Sequence, residues 1–170
     1  MNTEQARFLA DHYASVMETE LPTTVKVLAA VKDGNRDYRP DDKSRSAFQL
    51  ASHLAVADNW FVQSIIDGKF EFDPAGSEKA EAQFESADDI VAFYQQAFPE
   101  KLKTLRSLSG EALTRPVDFF GMMTAPAVSF LAMANSHSIH HRGQLAAYLR
   151  PMGSKVPSIY GGSADEPMVG

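Results

Sequence analysis

Cysteine is absent from the 170 residues of this chain, and that absence excludes disulfides, thiolate zinc sites and a cysteine nucleophile. Any metal ion would have to be held by nitrogen and oxygen ligands. A cysteine-free chain fits a cytoplasmic protein, which is the location we expect. The sequence also lacks a run of about 18 apolar residues and a basic-then-apolar start, so we expect neither a membrane span nor secretion.

Basic residues are in the minority, since 16 Lys and Arg stand against 22 Asp and Glu and give a formal net charge of -6. Nucleic-acid-binding domains usually carry a basic patch, so we expect no nucleic-acid partner. The hydrophobic share of 44% and the charged share of 22% are those of an ordinary globular protein. Residues 1–170 are therefore expected to form one domain around one core.

Proline interrupts two of the four helices that the apolar spacing predicts. The first helix, residues 3–31, has Thr3 as its expected N-cap and a kink or a break at Pro22. The third helix, residues 86–108, is expected to kink at Pro99. Each proline removes one backbone hydrogen bond from a helix interior, so neither helix is expected to be straight.

The other two predicted helices have clearer ends. Ser46 begins the second helix, residues 46–67, as part of a capping box, and Gly68 ends it. Thr124, followed by a first-turn proline, begins the fourth helix, residues 124–150, and a further proline stops it. The second and fourth of these helices contain the histidines considered below.

The remaining segments are typical of loops. Turn-forming or interrupted sequence fills residues 32–45, 68–86 and 111–123, and no convincing strand alternation is present. The last stretch, residues 151–170, is expected to be an irregular tail that Tyr160 attaches to the helices. The fold class is therefore all-α, a four-helix bundle with an irregular C-terminal tail.

Histidines are concentrated in residues 135–150, NSHSIHHRGQLAAYLR, which contain three of the five in the chain. His137 and His141 are four residues apart, so on a helix about 40° separates them and they share a face with apolar residues. Two imidazoles in an apolar setting each need a hydrogen-bond partner or a metal ion. One divalent metal ion would satisfy both, and a polar network inside the bundle is the alternative.

His53 is the candidate for a third ligand, because it shares a face of the second predicted helix with several apolar residues. Three imidazoles with open coordination positions resemble a catalytic metal site more than a closed structural one. His140 lies about -60° from His137 and is the less central of the clustered histidines. His140 and Tyr160 are weak candidates for proton transfer, and the catalytic residues are otherwise unassigned.

Two neighbours of these histidines also bear on the site. Gln144 follows His141 by three residues and could orient a ligand. Arg142 is expected to turn outwards or to reach along the helix.

Several motifs together resemble one family. They are QLASHLAVADNWF around His53, NSHSIHHRGQL in the fourth predicted helix, the Tyr38-Arg39-Pro40 loop and PSIYGGSADEP in the tail. The most specific of them is HRGQ, which begins at His141. The chain resembles the DinB-like superfamily of proposed metal-dependent enzymes over nearly its whole length.

This resemblance implies a four-helix bundle and a homodimer. It also implies that His53, His137 and His141 bind a divalent metal ion such as nickel, zinc or iron, and all three positions are present. Some members are thiol-dependent transferases or isomerases that use low-molecular-weight thiols. A low-molecular-weight thiol is therefore the second cofactor that the resemblance implies.

Two classes of function follow from the sequence. The first is a metal-dependent enzyme, either a hydrolase or a thiol-dependent transferase or isomerase, that acts on a small molecule. The second is a non-catalytic, stress-related module that binds a metal ion or another ligand. A scaffold for protein interactions is a weaker third class. An open coordination position beside a pocket would favour the enzyme.

Overall fold

Four long helices form the body of the fold, and the computed structural model describes residues 1–168 of the chain. The long helices are α1 (Thr3–Ala29), α2 (Ala47–Asp67), α4 (Ala87–Arg106) and α6 (Phe130–Leu149). The shorter elements are α3 (Pro74–Glu81), α5 (Gly110–Thr114) and the strands β1 (Pro116–Phe119) and β2 (Met123–Pro126). Helix α2 packs against α4 and α6, and α1 packs against α4, α5 and α6. The predicted four-helix bundle is confirmed.

The core lies between the four long helices and consists mainly of aliphatic side chains. Leu28, Leu54, Ile90 and Leu145 come from the four different helices, and each is completely buried. Burying one such side chain contributes about 1.5–3 kcal/mol, so these contacts hold the helices together. The apolar residues are concentrated in the stripes that face one another. Within residues 1–168, no helix combines the length and the apolar character that crossing a membrane requires.

The capping box predicted for α2 is present and fixes the residue at which the helix begins. The backbone N–H of Gln49 donates to Ser46 Oγ over 3.2 Å, and the backbone N–H of Ser46 donates to Gln49 Oε1 over 2.9 Å. At the other end, Gly68 has a φ of 70°, a left-handed conformation that glycine adopts without a steric cost. His53 lies about two turns after the cap, so this start fixes the side of α2 on which it projects.

Both prolines lie inside continuous helices. Helix α1 runs unbroken through Pro22, and α4 runs unbroken through Pro99, so of the kink or break predicted at Pro22 the break is excluded. Met17 and Val27, on either side of Pro22, are buried in the same core. Tertiary packing on both sides of the proline therefore outweighs the lost backbone hydrogen bond.

Two helix starts differ from the prediction. Asn2, and not Thr3, caps α1, because its Oδ1 accepts the backbone N–H of Gln5 over 2.8 Å. Helix α6 begins at Phe130 and not at Thr124, because the intervening residues form β2 and a short 3-10 turn. Strands β1 and β2 pair as an antiparallel hairpin. Each strand has only four residues, the shortest length at which a sequence alternation indicates a strand, and β2 has no buried residue.

Candidate metal site

Three histidine rings meet between α2 and α6. The ring centroids are 4.8 Å apart for His53 and His141, 4.3 Å for His137 and His141, and 5.5 Å for His53 and His137. One nitrogen from each ring lies within 4.8 Å of the other two, and all three residues are half-buried. These are the three histidines that the sequence singles out. Three imidazole nitrogens in this arrangement could hold one metal ion.

Glu81 orients His53. Its Oε1 lies 2.9 Å from His53 Nδ1, and its Oε2 accepts a hydrogen bond from Arg45 over 2.5 Å. Burial raises the pKa of Glu81, but the hydrogen bonds and charges of His53 and Arg45 outweigh it, so the pKa lies below its ordinary value. Because the carboxylate engages Nδ1, the other nitrogen of His53 is left for a ligand. A carboxylate in this position commonly orients a metal-binding histidine.

The helix that carries Glu81 is absent from the sequence-based prediction, which places only a loop there. Helix α3 has no buried residue, so it lacks the apolar stripe by which a helix is recognised. Its start nevertheless has a signal. Asp73 Oδ1 accepts the backbone N–H of Ala75 over 3.2 Å, and Pro74 occupies the first helical position. An Asp-Pro pair of this kind is a typical helix start and could have revealed α3.

Gln144 orients His141, as Glu81 orients His53. Its Nε2 donates to the hydroxyl of Tyr148 over 3.3 Å, which leaves its Oε1 to accept the Nδ1–H of His141 over 3.2 Å. Tyr148 in turn packs edge-on against Tyr38, with ring centroids 5.7 Å apart. The loop that contains Tyr38 therefore supports His141 through two side chains, and Gln144 has the orienting position expected from the sequence.

His137 carries a buried nitrogen without a partner. Its Nδ1 has no hydrogen bond to any of residues 1–168. The ring centroids of Phe61 and His137 are 5.0 Å apart. Burial first, and the nearby His141 and His53 second, lower the pKa of His137 to about 3. Burial also lowers the pKa of His141. Neutral imidazoles are the form that binds metal ions, so this donor set fits a divalent ion.

The weaker candidates lie beside this cluster. His140 is exposed, and its ring centroid is 4.9 Å from that of His141. The hydroxyl of Tyr160 accepts a hydrogen bond from Arg142 and donates one to Glu20 over 3.0 Å. Tyr160 therefore attaches the irregular tail to the bundle, as predicted. A role in proton transfer stays a prediction for both residues.

Arg142 points inwards, so the expectation that it turns outwards is wrong. Its side chain is 1% exposed, its Nη2 lies 2.5 Å from Glu20 Oε2, and its Nη1 donates to Thr24 Oγ1 over 3.1 Å. A buried guanidinium is tolerated because its donors are filled. The side of α6 opposite the histidines faces α1, which helix periodicity alone cannot show. In HRGQ, His141 and Gln144 thus build the site while Arg142 joins α6 to α1.

A cavity of about 430 Å³ opens beside His53 and His137. It lies between α2 and α3, and aromatic side chains form much of its wall, among them Trp60, Phe61 and Phe72. The volume is within the range that small-molecule sites usually have. The histidine cluster therefore adjoins a space in which a small molecule could lie.

The fold and the site together define a class of protein, the helical bundles with a histidine cluster that could hold a metal ion in the interior. Within this class, the model of the DinB family matches residues 1–168. The chain belongs to the DinB family, so the resemblance noted in the sequence is confirmed.

Two proteins of Bacillus subtilis are similar in sequence. The uncharacterized protein YrdA is 28% identical over 156 residues, which cover 92% of this chain and 90% of YrdA. The uncharacterized protein YjoA is 28% identical over 141 residues, which cover 81% of this chain and 86% of YjoA. Both alignments therefore extend over most of each protein.

Solved structures show the same fold. A DinB-like protein from Bacillus cereus matches with a TM-score of 0.70 and 27% identity, over 88% of this chain and 97% of that one. The DinB-like protein YjoA from Bacillus subtilis matches with a TM-score of 0.66 and 24% identity, over 85% and 93%. A mycothiol-dependent maleylpyruvate isomerase matches with a TM-score of 0.54 and 15% identity, over 91% of this chain but only 62% of the isomerase. That last likeness concerns the fold alone.

Proposed function

We propose that the protein is a metal-dependent enzyme that acts on a small molecule through His53, His137 and His141. The observation that carries this proposal is the convergence of three half-buried imidazoles, with one nitrogen of each within 4.8 Å of the others. The adjoining cavity of about 430 Å³ supports catalysis over a purely structural role for the metal ion.

The ion in this proposal is nickel, zinc or iron, since imidazole nitrogens suit all three. A divalent ion bound here supplies Lewis acidity and lowers the pKa of a water molecule or thiol in contact with it. The protein's own part is to hold the donors in place. Glu81 and Gln144 do this by engaging the Nδ1 atoms of His53 and His141.

We favour thiol-dependent transfer or isomerisation as the reaction class, with hydrolysis as the second choice. The chain has no cysteine, so a thiol nucleophile would have to be a small molecule. The maleylpyruvate isomerase with a similar fold depends on mycothiol, a small-molecule thiol, and this supports the choice. The homodimer expected from the family resemblance and the cytoplasmic location expected from the lack of cysteine are also part of the proposal.

Proton transfer in this reaction is assigned to His140. It is exposed and neighbours His141, so it can exchange protons with solvent. Tyr160 is the poorer candidate for proton transfer, because its hydroxyl is already hydrogen-bonded to Arg142 and Glu20. Burial and the bond to Glu20 also raise the pKa of Tyr160 above its ordinary value.

The test is a turnover assay with glutathione and a neutral fluorogenic alkyl chloride, in which the sulfur–carbon bond forms as chloride leaves. Nickel-loaded and zinc-loaded protein should form product at least 100-fold faster than chelated protein. His137→Ala should lose this rate, and His12→Ala, at an exposed position on α1, should keep it. Equal rates with and without metal would reject the metal-dependent reaction.

A further inference from the structure

The cavity beside the histidines has an apolar lining. Its walls are built largely from aliphatic and aromatic side chains of α2 and of the segment around α3, namely Val56, Ala57, Trp60, Phe61, Phe72 and Ala80. Such a surface binds the apolar part of a ligand because water leaves both surfaces. Phe72 is 60% exposed, which places an aromatic ring in contact with both the cavity and solvent.

The charged groups at the cavity are acidic and already engaged. Glu81 is bonded to His53 and Arg45, and Asp73 caps α3. Glu71 reaches into solvent, with its side chain 74% exposed, and pairs with Lys69 over 3.0 Å. Each of these three carboxylates therefore already has a partner within residues 1–168.

Cationic groups are missing from the lining. Within residues 1–168, the side chains that line the cavity include no lysine and no arginine. An anionic group buried there would lose its hydration and gain no lysine or arginine as a partner. The net charge of -6 further opposes the approach of an anion.

Trp60 forms a fixed part of the wall. Its indole N–H donates to the carbonyl oxygen of Glu71 over 3.1 Å. Its ring packs edge-on against Phe61 at 4.9 Å, Phe70 at 5.6 Å and Phe72 at 6.4 Å between centroids. A ring held in this way offers an aromatic surface that is in place before a ligand arrives.

We propose that this cavity binds the uncharged, aromatic or apolar part of the substrate, and that Trp60 and Phe72 determine this specificity. The inference rests on the proposed function, because it assumes that the molecule in the cavity reacts at the histidine cluster. It excludes substrates whose buried part carries a carboxylate or a phosphate.

The experiment compares two probes of similar size that share a tert-butylphenyl group, 4-tert-butylbenzyl alcohol and 4-tert-butylbenzoate. Trp60 is the one tryptophan of the sequence, so its fluorescence reports on the cavity directly. The titrations use chelated protein, whose folding is checked by circular dichroism, because a carboxylate could otherwise bind the metal ion. The alcohol should bind with a dissociation constant at least tenfold below that of the benzoate.

Two variants, one in α3 and one at the residue that follows it, locate the binding. Ala80→Phe fills the cavity and should weaken alcohol binding at least tenfold, whereas Ala82→Phe, at an exposed position of the same segment, should leave it unchanged. Benzoate binding as tight as alcohol binding, no binding of either probe, or no effect of Ala80→Phe would each overturn the proposal.

Failure of this proposal is distinguishable from failure of the proposed function. If the cavity is selective but the protein takes up no metal ion, the metal-dependent function fails and the cavity proposal stands as a binding property. If the metal ion binds but the benzoate is preferred, the cavity proposal alone fails.

Discussion

Replacing Glu81 should weaken metal binding without unfolding the protein. Its carboxylate lies 2.9 Å from His53 Nδ1 and is 14% exposed, so it holds the ring in an environment that water screens only partly. Changes to such an orienting partner typically cost about 10- to 100-fold in metal affinity, or about 1.4–2.7 kcal/mol. Helix α3 has no buried residue, so the core does not depend on this side chain.

Two substitutions separate orientation from charge. Glu81→Gln keeps an acceptor oxygen of the same size but removes the negative charge, so we expect a loss of about tenfold. Glu81→Ala removes the hydrogen bond as well, so we expect a loss near 100-fold. Glu78→Gln is the matched control, because Glu78 is an exposed glutamate of the same helix.

The assay is a zinc titration in competition with a chelator of known affinity at pH 7.5. Dissociation constants of both Glu81 variants within twofold of that of the unchanged protein would refute the reasoning. That result, together with a loss of binding in His53→Ala, would mean that the metal ion holds His53 without help from α3.

Three further predictions concern stability. Burial raises the pKa of Asp58 to about 7 from an ordinary 3.8. The free energy of unfolding that the protonated side chain contributes is therefore full below about pH 4 and is lost as pH rises through 7, a decrease of up to about 4 kcal/mol. Asp58→Asn should abolish this decrease, measured by urea unfolding between pH 4 and 8 with the exposed Asp42→Asn as control. Tyr160→Phe removes the hydroxyl that accepts from the buried Arg142 and donates to the half-buried Glu20, and it should cost about 1–3 kcal/mol, with faster proteolysis of the tail as a second measurement. Gly143 lies in α6 with open space at its Cβ position among the described residues, so Gly143→Ala should raise the melting temperature. A Cβ atom at Gly110 would lie 2.9 Å from the backbone of α1, so Gly110→Ala should lower the melting temperature.

Much of the fold follows from local signals in the sequence. Ser46 and Gly68 mark the ends of α2 because a cap and a left-handed glycine act within a few residues. The histidine cluster follows from helix periodicity, since His137 and His141 share a face whatever the helix packs against. His53 joins them because its own helix face is apolar and must turn inwards.

Other features depend on contacts that periodicity does not encode. Glu81 lies on a helix without an apolar stripe, so the Asp73-Pro74 pair at the start of this helix is its one signal in the sequence. Arg142 turns inwards because Glu20 and Thr24 of α1 meet it there, and the sequence does not specify which helix covers that side of α6. The hairpin is formed by pairing between two very short strands, which local propensity does not predict.

The central claim is that His53, His137 and His141 together hold one divalent metal ion. Its most direct test is elemental analysis of the protein after loading with nickel or zinc and removal of unbound metal. The account predicts about one ion per chain in the unchanged protein and in His12→Ala, and less than a tenth of that in His137→Ala. Equal metal content in the unchanged protein and His137→Ala, or no bound metal in either, would contradict it.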